Sequence, residues 1–303
     1  MFDIITFGSA LVDIFAETDI AEKGRFMCYP VGSKILLKNL RFDIGGGGTN
    51  TAVAFSRFGF KTGYIGKIGD DFNGKIILKI LKDEKIKFLG KIEKKSITGT
   101  SIILDSKEHD RTVLKYSGVN DDLNFSDINL KKIKTKWFYL GSMLGESFKT
   151  QKKLAFFLHV NGVKIAINPT EYLIKKENIM PLLKISDILI LNKEEASLLV
   201  KKRDLLKGLH KLGPKTVVIT DKNKKILAYD GKKKYSLMPN KIKVVERTGA
   251  GDAFASGFVA GQMVGKNIQE SLKLGLREGE SVLKYVGAKN KLLEIDLKNE
   301  NRK

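Results

Sequence analysis

From about Thr49 onward, short apolar runs of strand length alternate with amphipathic stretches of helical period. The apolar runs lie at residues 62–68, 137–140, 164–167, 188–191 and 216–219, and the helical stretches at residues 51–59, 72–81, 149–158, 194–200 and 205–212. This alternation predicts a mostly parallel sheet with helices on both faces. The apolar start of the chain, residues 1–8, adds a buried first strand. The predicted fold class is α/β.

Three early segments interrupt the alternation, at residues 11–17, 33–37 and 100–116. The last of them holds two apolar runs joined by a polar turn at residues 105–110. Short strands joined by polar turns within a βα chain predict a small second sheet beside the main layer. We expect this sheet to form a lid over a substrate cleft. Since no Pro-rich or Ser-rich linker divides the chain, residues 1–303 should form a single domain.

The formal net charge is +21, because 55 Lys and Arg residues face 34 Asp and Glu residues. The basic residues are dispersed and no basic stripe is interleaved with aromatics, which favours a solvated lysine-rich surface over nucleic-acid binding. The sequence has no run of about 18 apolar residues, so no membrane span is predicted. Its first residues lack the basic region of a signal peptide, and Cys28 is the single cysteine. Both features predict a reducing, cytoplasmic location.

The segment Thr248-Gly249-Ala250-Gly251-Asp252 follows an apolar, strand-like run at residues 242–245 and opens a helical stretch that extends to about residue 264. Small residues at a helix start leave its first backbone N–H groups open to an anion. A carboxylate in that same turn is placed to take a proton from an attacking hydroxyl, as phosphoryl transfer requires. The spacing equally permits a tight turn in which Asp252 only caps the helix.

A second cluster, Gly45-Gly46-Gly47-Gly48-Thr49-Asn50, also lies between a strand-like segment and a helix. Consecutive glycines predict close approach of a ligand to the backbone, and Asn50 is placed to hydrogen-bond a polyol. The alternative is a flexible loop capped by Thr49. The sequence contains neither a Walker A motif nor the dinucleotide fingerprint, and its histidines are isolated. Neither a zinc site nor a serine hydrolase is therefore predicted.

Four motifs in order make the chain resemble the PfkB or ribokinase-like carbohydrate kinases over nearly its whole length. They are the glycine cluster at residues 45–54, Gly69-Asp70-Asp71 within residues 68–74, Asn192-Lys193-Glu194-Glu195, and residues 248–254. The resemblance implies a ribokinase-like three-layer sandwich with a small β-sheet lid. It also implies ATP-dependent transfer of the γ-phosphoryl group to a hydroxyl of a sugar or nucleoside, and a homodimer formed through the lid.

The resemblance also implies a role for each site residue. The catalytic base would be Asp252, and the anion hole would consist of Gly249, Ala250 and Gly251. The substrate would be bound by Asp13, Gly45, Gly46 and Asn50, and the nucleotide by Asn192, Thr220 and Thr248. Mg²⁺ would be held through water by Glu195 and Asn192, and K⁺ would be bound by Glu246. Arg111, in the predicted lid hairpin, would pair with a substrate carboxylate or phosphate, although an ordinary exposed turn charge fits as well.

The chain departs from the family pattern at three places. Asp221 and Lys222 replace two glycines that usually follow the strand ending at Thr220, so we expect Lys222 to reach the ATP phosphates instead. Gly47 stands where ribokinases typically have Lys, and Gly141-Ser142-Met143 where relatives place an acidic residue near the sugar. The preferred reading is a sugar kinase of the ribokinase or fructokinase type. A nucleoside kinase and an inactive sugar-binding protein of the same fold remain alternatives.

Overall fold

A computed structural model describes residues 1–24, 26–107, 111–285 and 287–300, with residues 111, 299 and 300 described by their backbone alone. Its strands are β1 (Phe2–Phe7), β2 (Leu11–Glu17), β3 (Glu22–Lys23), β4 (Phe26–Met27), β5 (Asn39–Gly45), β6 (Thr62–Ile65), β7 (Lys67–Gly69), β8 (Lys87–Phe88), β9 (Lys91–Glu93), β10 (Thr100–Asp105), β11 (Arg111–Tyr116), β12 (Thr135–Leu140), β13 (Lys164–Ile167), β14 (Ile188–Asn192), β15 (Thr216–Thr220), β16 (Ile226–Tyr229) and β17 (Lys234–Leu237).

The α-helices alternate with these strands through most of the chain. They are α1 (Gly47–Arg57), α2 (Phe72–Asp83), α3 (Gly145–Val160), α4 (Glu171–Lys176), α5 (Met180–Ile185), α6 (Lys193–Leu199), α7 (Leu205–His210), α8 (Ala250–Met263), α9 (Ile268–Leu283) and α10 (Leu297–Glu300). Short 3-10 helices lie at Gly118–Asp121, Phe125–Asp127 and Leu130–Lys132. No helix in this described part of the chain is long and apolar enough to cross a membrane.

The main sheet has the strand order β17-β16-β15-β14-β13-β12-β1-β6-β8 within the described residues. Neighbours from β15 to β8 are parallel, and β16 and β17 add on antiparallel. The chain builds β6 and β8 on one side of β1 and later builds β12 on its other side, so the strand order reverses between β1 and β12. Ligands of open α/β sheets bind in the crevice at the carboxyl ends of the strands at such a reversal.

Alternating side chains of the same strands pack into two separate layers, as strand geometry requires. On one face Phe7 and Leu140 pack with α3 to α7, and on the other Ile4 and Tyr139 pack with α1, α8 and α9. Burial on both faces explains why these strands read as continuous apolar runs. The predicted three-layer α/β architecture is confirmed.

A separate four-stranded sheet, with the order β11-β10-β2-β5 in the described residues, lies beside the main layer. Three of its strands, β2 and the hairpin strands β10 and β11, fall within predicted segments. The predicted strand at residues 33–37 is wrong, because this segment is mostly exposed, with Leu36 90% exposed, and forms no strand pairing with the described residues. The fourth strand is β5 instead, which pairs antiparallel with β2 along its whole length.

The structure also differs from prediction in the main sheet and in the helices around it. The segment 242–245 is not a strand: it is mostly exposed, and the Val245 amide donates to the Leu283 carbonyl at 2.8 Å. The hairpin β16–β17 extends the main sheet at its edge, where its short strands give little periodicity. Helix α9 was not predicted, although Asn267 and Glu270 form a capping box at its start.

Helix α9 carries a buried carboxylate that faces the neighbouring helix α8. Glu278 has no exposed surface, and its Oε2 accepts from the Leu293 amide at 2.9 Å. Among the described residues, no donor lies within hydrogen-bonding distance of Oε1. Burial raises the pKa of Glu278 to about 7. Ionisation of Glu278 is therefore less favourable in the folded state than in the unfolded chain, and it lowers the free energy of unfolding.

We expect Glu278→Gln to raise the free energy of unfolding by up to about 3 kcal/mol at pH 8 and by less than about 1 kcal/mol at pH 5. The folded state binds the Glu278 proton more tightly than the unfolded chain does, so stability falls as pH rises towards the raised pKa, and glutamine removes that loss. Denaturant unfolding at both pH values measures the effect. The control is Glu280→Gln. The Glu280 carboxylate accepts hydrogen bonds from Asn240, so this substitution should not raise the free energy of unfolding at either pH. An equal gain at pH 5 and pH 8 would contradict this account.

Candidate active site

The two glycine clusters meet at the strand-order reversal between β1 and β12. The Gly48 amide donates to the Ser9 carbonyl at 3.1 Å, and the Gly141 amide donates to the Phe7 carbonyl at 2.8 Å. The start of α1 therefore lies at the carboxyl end of β1, next to the end of β12. A Cβ atom built on Gly47 would stand 3.4 Å from Asp252 Oδ1, which brings the start of α8 to the same place.

Each cluster begins its helix through a glycine of positive φ. Gly46, before α1, has φ 94°, and Gly249, before α8, has φ 77°. Both conformations disfavour residues with a Cβ atom, and a Cβ at Gly249 would also collide with Ala288. Helix α1 starts at Gly47 rather than at the predicted residue 51, so Asn50 lies in its first turn.

The first turn of α8 has the form that anion binding needs. A Cβ atom at Gly251 would meet nothing within 4 Å, so the helix start is open on this side. Backbone amides of a first helical turn have no intrahelical acceptor. The Ala250 amide already donates to the Arg247 carbonyl, over a long 3.3 Å.

Asp252 is partly exposed in this first turn and is held by a hydrogen bond. Asn50 Nδ2 donates to Asp252 Oδ2 at 2.8 Å. Burial raises the pKa of Asp252, while the Asn50 amide and the charge of Lys289 act in the opposite direction. The carboxylate thus lies in the first turn of α8 with a raised pKa, and both its position and its higher basicity suit a general base. Both polar atoms of the Asn50 side chain have partners in the protein, so a single amide N–H is left for the predicted contact with a polyol.

The second partner of Asn50 is a residue that sequence reasoning missed. Lys289 is 6% exposed, and its Nζ donates to Asn50 Oδ1 at 2.6 Å and to the Ile44 carbonyl. Burial lowers the pKa of Lys289 to about 8. No motif marks this lysine among the many of the chain. Its neighbour Ala288, which packs against Gly249, is equally unremarkable in the sequence.

Asp13 lies in β2 on the side of the small sheet that meets Lys289. It is 7% exposed, accepts a hydrogen bond from Ser101 of β10, and packs so closely on Gly45 that a Cβ there would collide with its carboxylate. Burial raises the pKa of Asp13, and the charge of Lys289 opposes the rise. The structure therefore brings together Asp13, Gly45 and Asn50 as predicted. The side chain of Arg111 lies outside the described part of the structure.

Asn192 and Glu195 stand at the start of α6, where they form a capping box. Asn192 Oδ1 accepts from the Glu195 amide and Glu195 Oε2 accepts from the Asn192 amide, both at 2.8 Å. Glu195 also accepts from the backbone of Glu171, and burial raises the pKa of its carboxyl. This pair thus has a structural role at the start of α6, directly after the carboxyl end of β14.

The remaining predicted nucleotide and cation ligands lie around β15 and the segment before α8. Thr220 ends β15, and its hydroxyl donates to the Leu191 carbonyl at 3.4 Å. Lys222 is exposed, with its Nζ 3.3 Å from Glu194. Glu246 is 8% exposed and accepts from the Gly287 amide at 2.7 Å. Thr248 lies in the turn directly before Gly249, the residue that caps α8.

A cavity of about 740 Å³ lies beside the end of β15, next to Asp221 and Lys193. Ile219 and Leu206 line it, and both belong to the layer of α3 to α7, whereas α8 lies on the opposite face of the sheet. None of its lining residues is Asp13, Asn50 or Asp252. The residues that line this cavity are therefore different from the three that converge at the strand-order reversal.

Comparison with known proteins finds sugar and nucleoside kinases that are similar to most of this chain. The cytidine kinase of Thermococcus kodakarensis is 27% identical, over 95% of this chain and 98% of its own. The ribokinase of Bacillus subtilis is 27% identical over 91% of each chain.

Solved structures agree in fold. The ribokinase of Thermotoga maritima superposes with a TM-score of 0.84 at 20% identity, covering all of both chains. An Escherichia coli protein described as a ribokinase II, solved with ATP and Mg²⁺, superposes with a TM-score of 0.81 at 17% identity over 99% of this chain and 98% of its own. The fold is therefore the ribokinase fold. The model of the pfkB family carbohydrate kinases matches residues 1–295, and the chain accordingly belongs to this family of phosphotransferases that use an alcohol group as acceptor.

Proposed function

We propose that this protein transfers the γ-phosphoryl group of ATP to a hydroxyl of a small sugar, with Asp252 as the catalytic base. The observation that carries the proposal is the Asp252 carboxylate in the open first turn of α8, hydrogen-bonded to Asn50 at 2.8 Å. A carboxylate at a helix N-terminus places proton acceptance and anion binding next to each other.

In the proposed reaction an Oδ atom of Asp252 takes the proton of the acceptor hydroxyl as the hydroxyl oxygen attacks the γ-phosphorus. A new oxygen–phosphorus bond forms, the bond between the γ-phosphorus and the bridging oxygen breaks, and ADP leaves with the electron pair of the broken bond. The amides of Gly249, Ala250 and Gly251 stabilise the charge on the transferred group. The Ala250 amide would first exchange its long bond to Arg247 for one to the phosphate.

The acceptor site is proposed between the small sheet and the start of α1. Asp13 would accept hydrogen bonds from acceptor hydroxyls, and the backbone of Gly45 and Gly46 would line the site. The second N–H of the Asn50 amide, beyond the one donated to Asp252, is its remaining contact for the acceptor. The small sheet, which carries Asp13, would act as the lid that excludes water during transfer.

The nucleotide is proposed to lie along the ends of β14 and β15, with Asn192, Thr220 and Thr248 near its phosphates. Lys222 would reach the phosphates by giving up its exposed contact with Glu194, which costs little because exposed ion pairs contribute little stability.

Magnesium is proposed to accompany ATP. The described residues contain no cluster of three His, Cys, Asp or Glu side chains that could cage a metal. Asn192 and Glu195 offer oxygen atoms, and Mg²⁺ that bridges phosphates keeps several waters and needs few protein ligands, so these residues fit it. When bound, the ion would neutralise charge on the phosphates. Glu246 is the proposed K⁺ ligand, and activity in KCl compared with choline chloride tests it.

Transfer to a nucleoside is the second candidate, because the chain is similar to both a cytidine kinase and a ribokinase. The phosphate-binding residues are common to both readings, so assays of Mg-ATP with sugars and nucleosides separate them. A protein that binds ATP yet phosphorylates none of them would support the third reading, an inactive sugar-binding protein. We also propose a cytoplasmic location, which the exposed lone Cys28 supports.

We propose that the small sheet also forms a homodimer interface. Phe42, Ile14, Ile102 and Leu114 are direct neighbours across β5, β2, β10 and β11, and therefore lie on one face. Phe42 is 56% exposed and Leu114 52% exposed, which is unusual for a continuous apolar row. A second copy related by a two-fold axis would cover this row with the same row.

Leu114→Lys is expected to weaken the dimer by at least about tenfold, because it would place a charge on the apolar row that the partner has to cover. Sedimentation equilibrium measures the dissociation constant. Val160→Lys, an exposed apolar position at the end of α3, is the matched control and should leave association unchanged. A wild-type protein that stays monomeric at all concentrations would refute this interface.

A further inference from the structure

The segment that follows α9 places the side chain of Lys289 next to Asn50 in the candidate active site. Ala288 packs against Gly249, so the next residue, Lys289, enters the space between β5 and the first turn of α1. Its ammonium group is buried and donates to the Ile44 carbonyl and to Asn50 Oδ1. With 6% of its surface exposed, Lys289 does not belong to the dispersed surface lysines.

The contacts of Lys289 determine which way the Asn50 amide faces. An ammonium group can only donate hydrogen bonds, so the atom of Asn50 that meets it must be the carbonyl oxygen. The amide nitrogen then lies on the other side, where it donates to Asp252 Oδ2 at 2.8 Å. A reversed amide would place two donors together at Lys289 and two acceptors together at Asp252. The chain Lys289–Asn50–Asp252 therefore has one consistent arrangement of donors and acceptors.

The charges around these groups favour the same arrangement. Asp13, Asp43 and Asp252 each stabilise the charged form of Lys289, while Arg57 opposes it. Asp252 itself is faced by Asn50 from α1, by Lys289 from the segment after α9, and by the Tyr139 phenol from β12. Lys289 is thus the cation that acts on the carboxylate of the base.

We propose that Lys289 is a positioning residue that orients the Asn50 amide towards Asp252 and so keeps the carboxylate ionised and turned towards the acceptor hydroxyl. It does not itself touch the reacting atoms. This inference rests on the proposed kinase function, because it assigns a role only if Asp252 is the base.

The test compares Lys289→Met with the wild-type protein and with Lys67→Met. Lys67 is also a buried lysine, 5% exposed, and its partners Asp122, Glu93 and Asp127 lie outside the active site. Both variants remove a buried charge, and both should lower the melting temperature. We expect kcat to fall about 10- to 100-fold in Lys289→Met and less than about twofold in Lys67→Met, with KM for ATP nearly unchanged in both.

The pH profile separates a positioning role from a structural one. Without Lys289 the pKa of Asp252 should rise, so the acid limb of kcat/KM should move to higher pH in Lys289→Met and stay in place in Lys67→Met. Lys289→Gln keeps an N–H donor without the charge, and should show the same shift with a smaller loss of kcat. It takes the place of Lys289→Met if that variant does not fold.

A double variant tests whether the effect passes through Asn50. In an Asn50→Ala background, Lys289→Met should cost clearly less in kcat than it does in the wild type. An active wild-type enzyme whose Lys289 variants keep kcat and the acid limb would overturn the inference alone. A wild-type protein that phosphorylates no acceptor would overturn the proposed function, and the inference with it.

Discussion

Replacing Asp252 with asparagine is expected to lower kcat by about 10²- to 10⁴-fold, the range that a general base contributes. Asparagine has nearly the same shape and can still sit in the first turn of α8, but it cannot take the proton of the acceptor hydroxyl. The fold and the anion-binding turn should survive, so ATP should still bind. Initial rates of ADP formation and calorimetric titration with ATP measure the two effects separately.

Asp204→Asn is the matched control for this substitution. Asp204 caps α7 through the Lys207 amide, on the opposite face of the sheet from α8, so the same chemical change there should leave kcat unaltered. In the wild type the acid limb of the rate should lie above the range of an ordinary aspartate, because burial raises the pKa of Asp252. An Asp252→Asn protein within tenfold of the wild-type kcat would remove Asp252 from the role of base.

Replacing Asp13 with alanine is expected to raise KM for the acceptor about 10- to 100-fold. Its carboxylate is buried beside Gly45 and would hold acceptor hydroxyls, and a hydrogen bond to a charged group contributes about 1.5–3 kcal/mol. The anion-binding turn of α8 is a separate element, so KM for ATP should change little. Steady-state kinetics with each substrate varied in turn measure both constants.

Asp19→Ala serves as the control for Asp13→Ala, because Asp19 follows the same strand but is an exposed partner of Lys38. It should leave both KM values at their wild-type level. Equal losses of affinity for ATP and for the acceptor in Asp13→Ala would indicate general damage to the cleft. An unchanged acceptor KM would place Asp13 outside the acceptor site.

The parts of the fold that follow from periodicity could be predicted from the sequence. Strands of the main sheet are buried on both faces, so segments such as β13 and β14 read as apolar runs with close to their true limits. The small sheet was harder to place. One of its faces is exposed, so its strands contain fewer apolar residues. Polar and apolar residues alternate in β5, which is a strand through its pairing with β2. The apolar residues at 33–37 have no such partner in the described chain.

In the candidate site, too, some residues could be predicted from the local sequence and others could not. Gly249 and Asp252 could be found because a helix start that binds anions has a local sequence form. Lys289 could not, because its role depends on a contact across the fold with Asn50, 239 positions earlier in the chain. Asn192 and Glu195 illustrate the converse, since their spacing is that of a capping box as well as of a metal-binding pair.

The central claim is tested most directly by measuring ADP and phosphorylated product with Mg-ATP across ribose, fructose, 2-keto-3-deoxygluconate, adenosine, cytidine and inosine. The Asp252→Asn protein is the blank, which separates acceptor phosphorylation from contaminating ATPase activity. We expect one sugar to be phosphorylated in proportion to ADP formed, with the blank reduced by at least about 10²-fold. A nucleoside acceptor would select the second reading. Equal product with the wild-type protein and with Asp252→Asn would contradict the account.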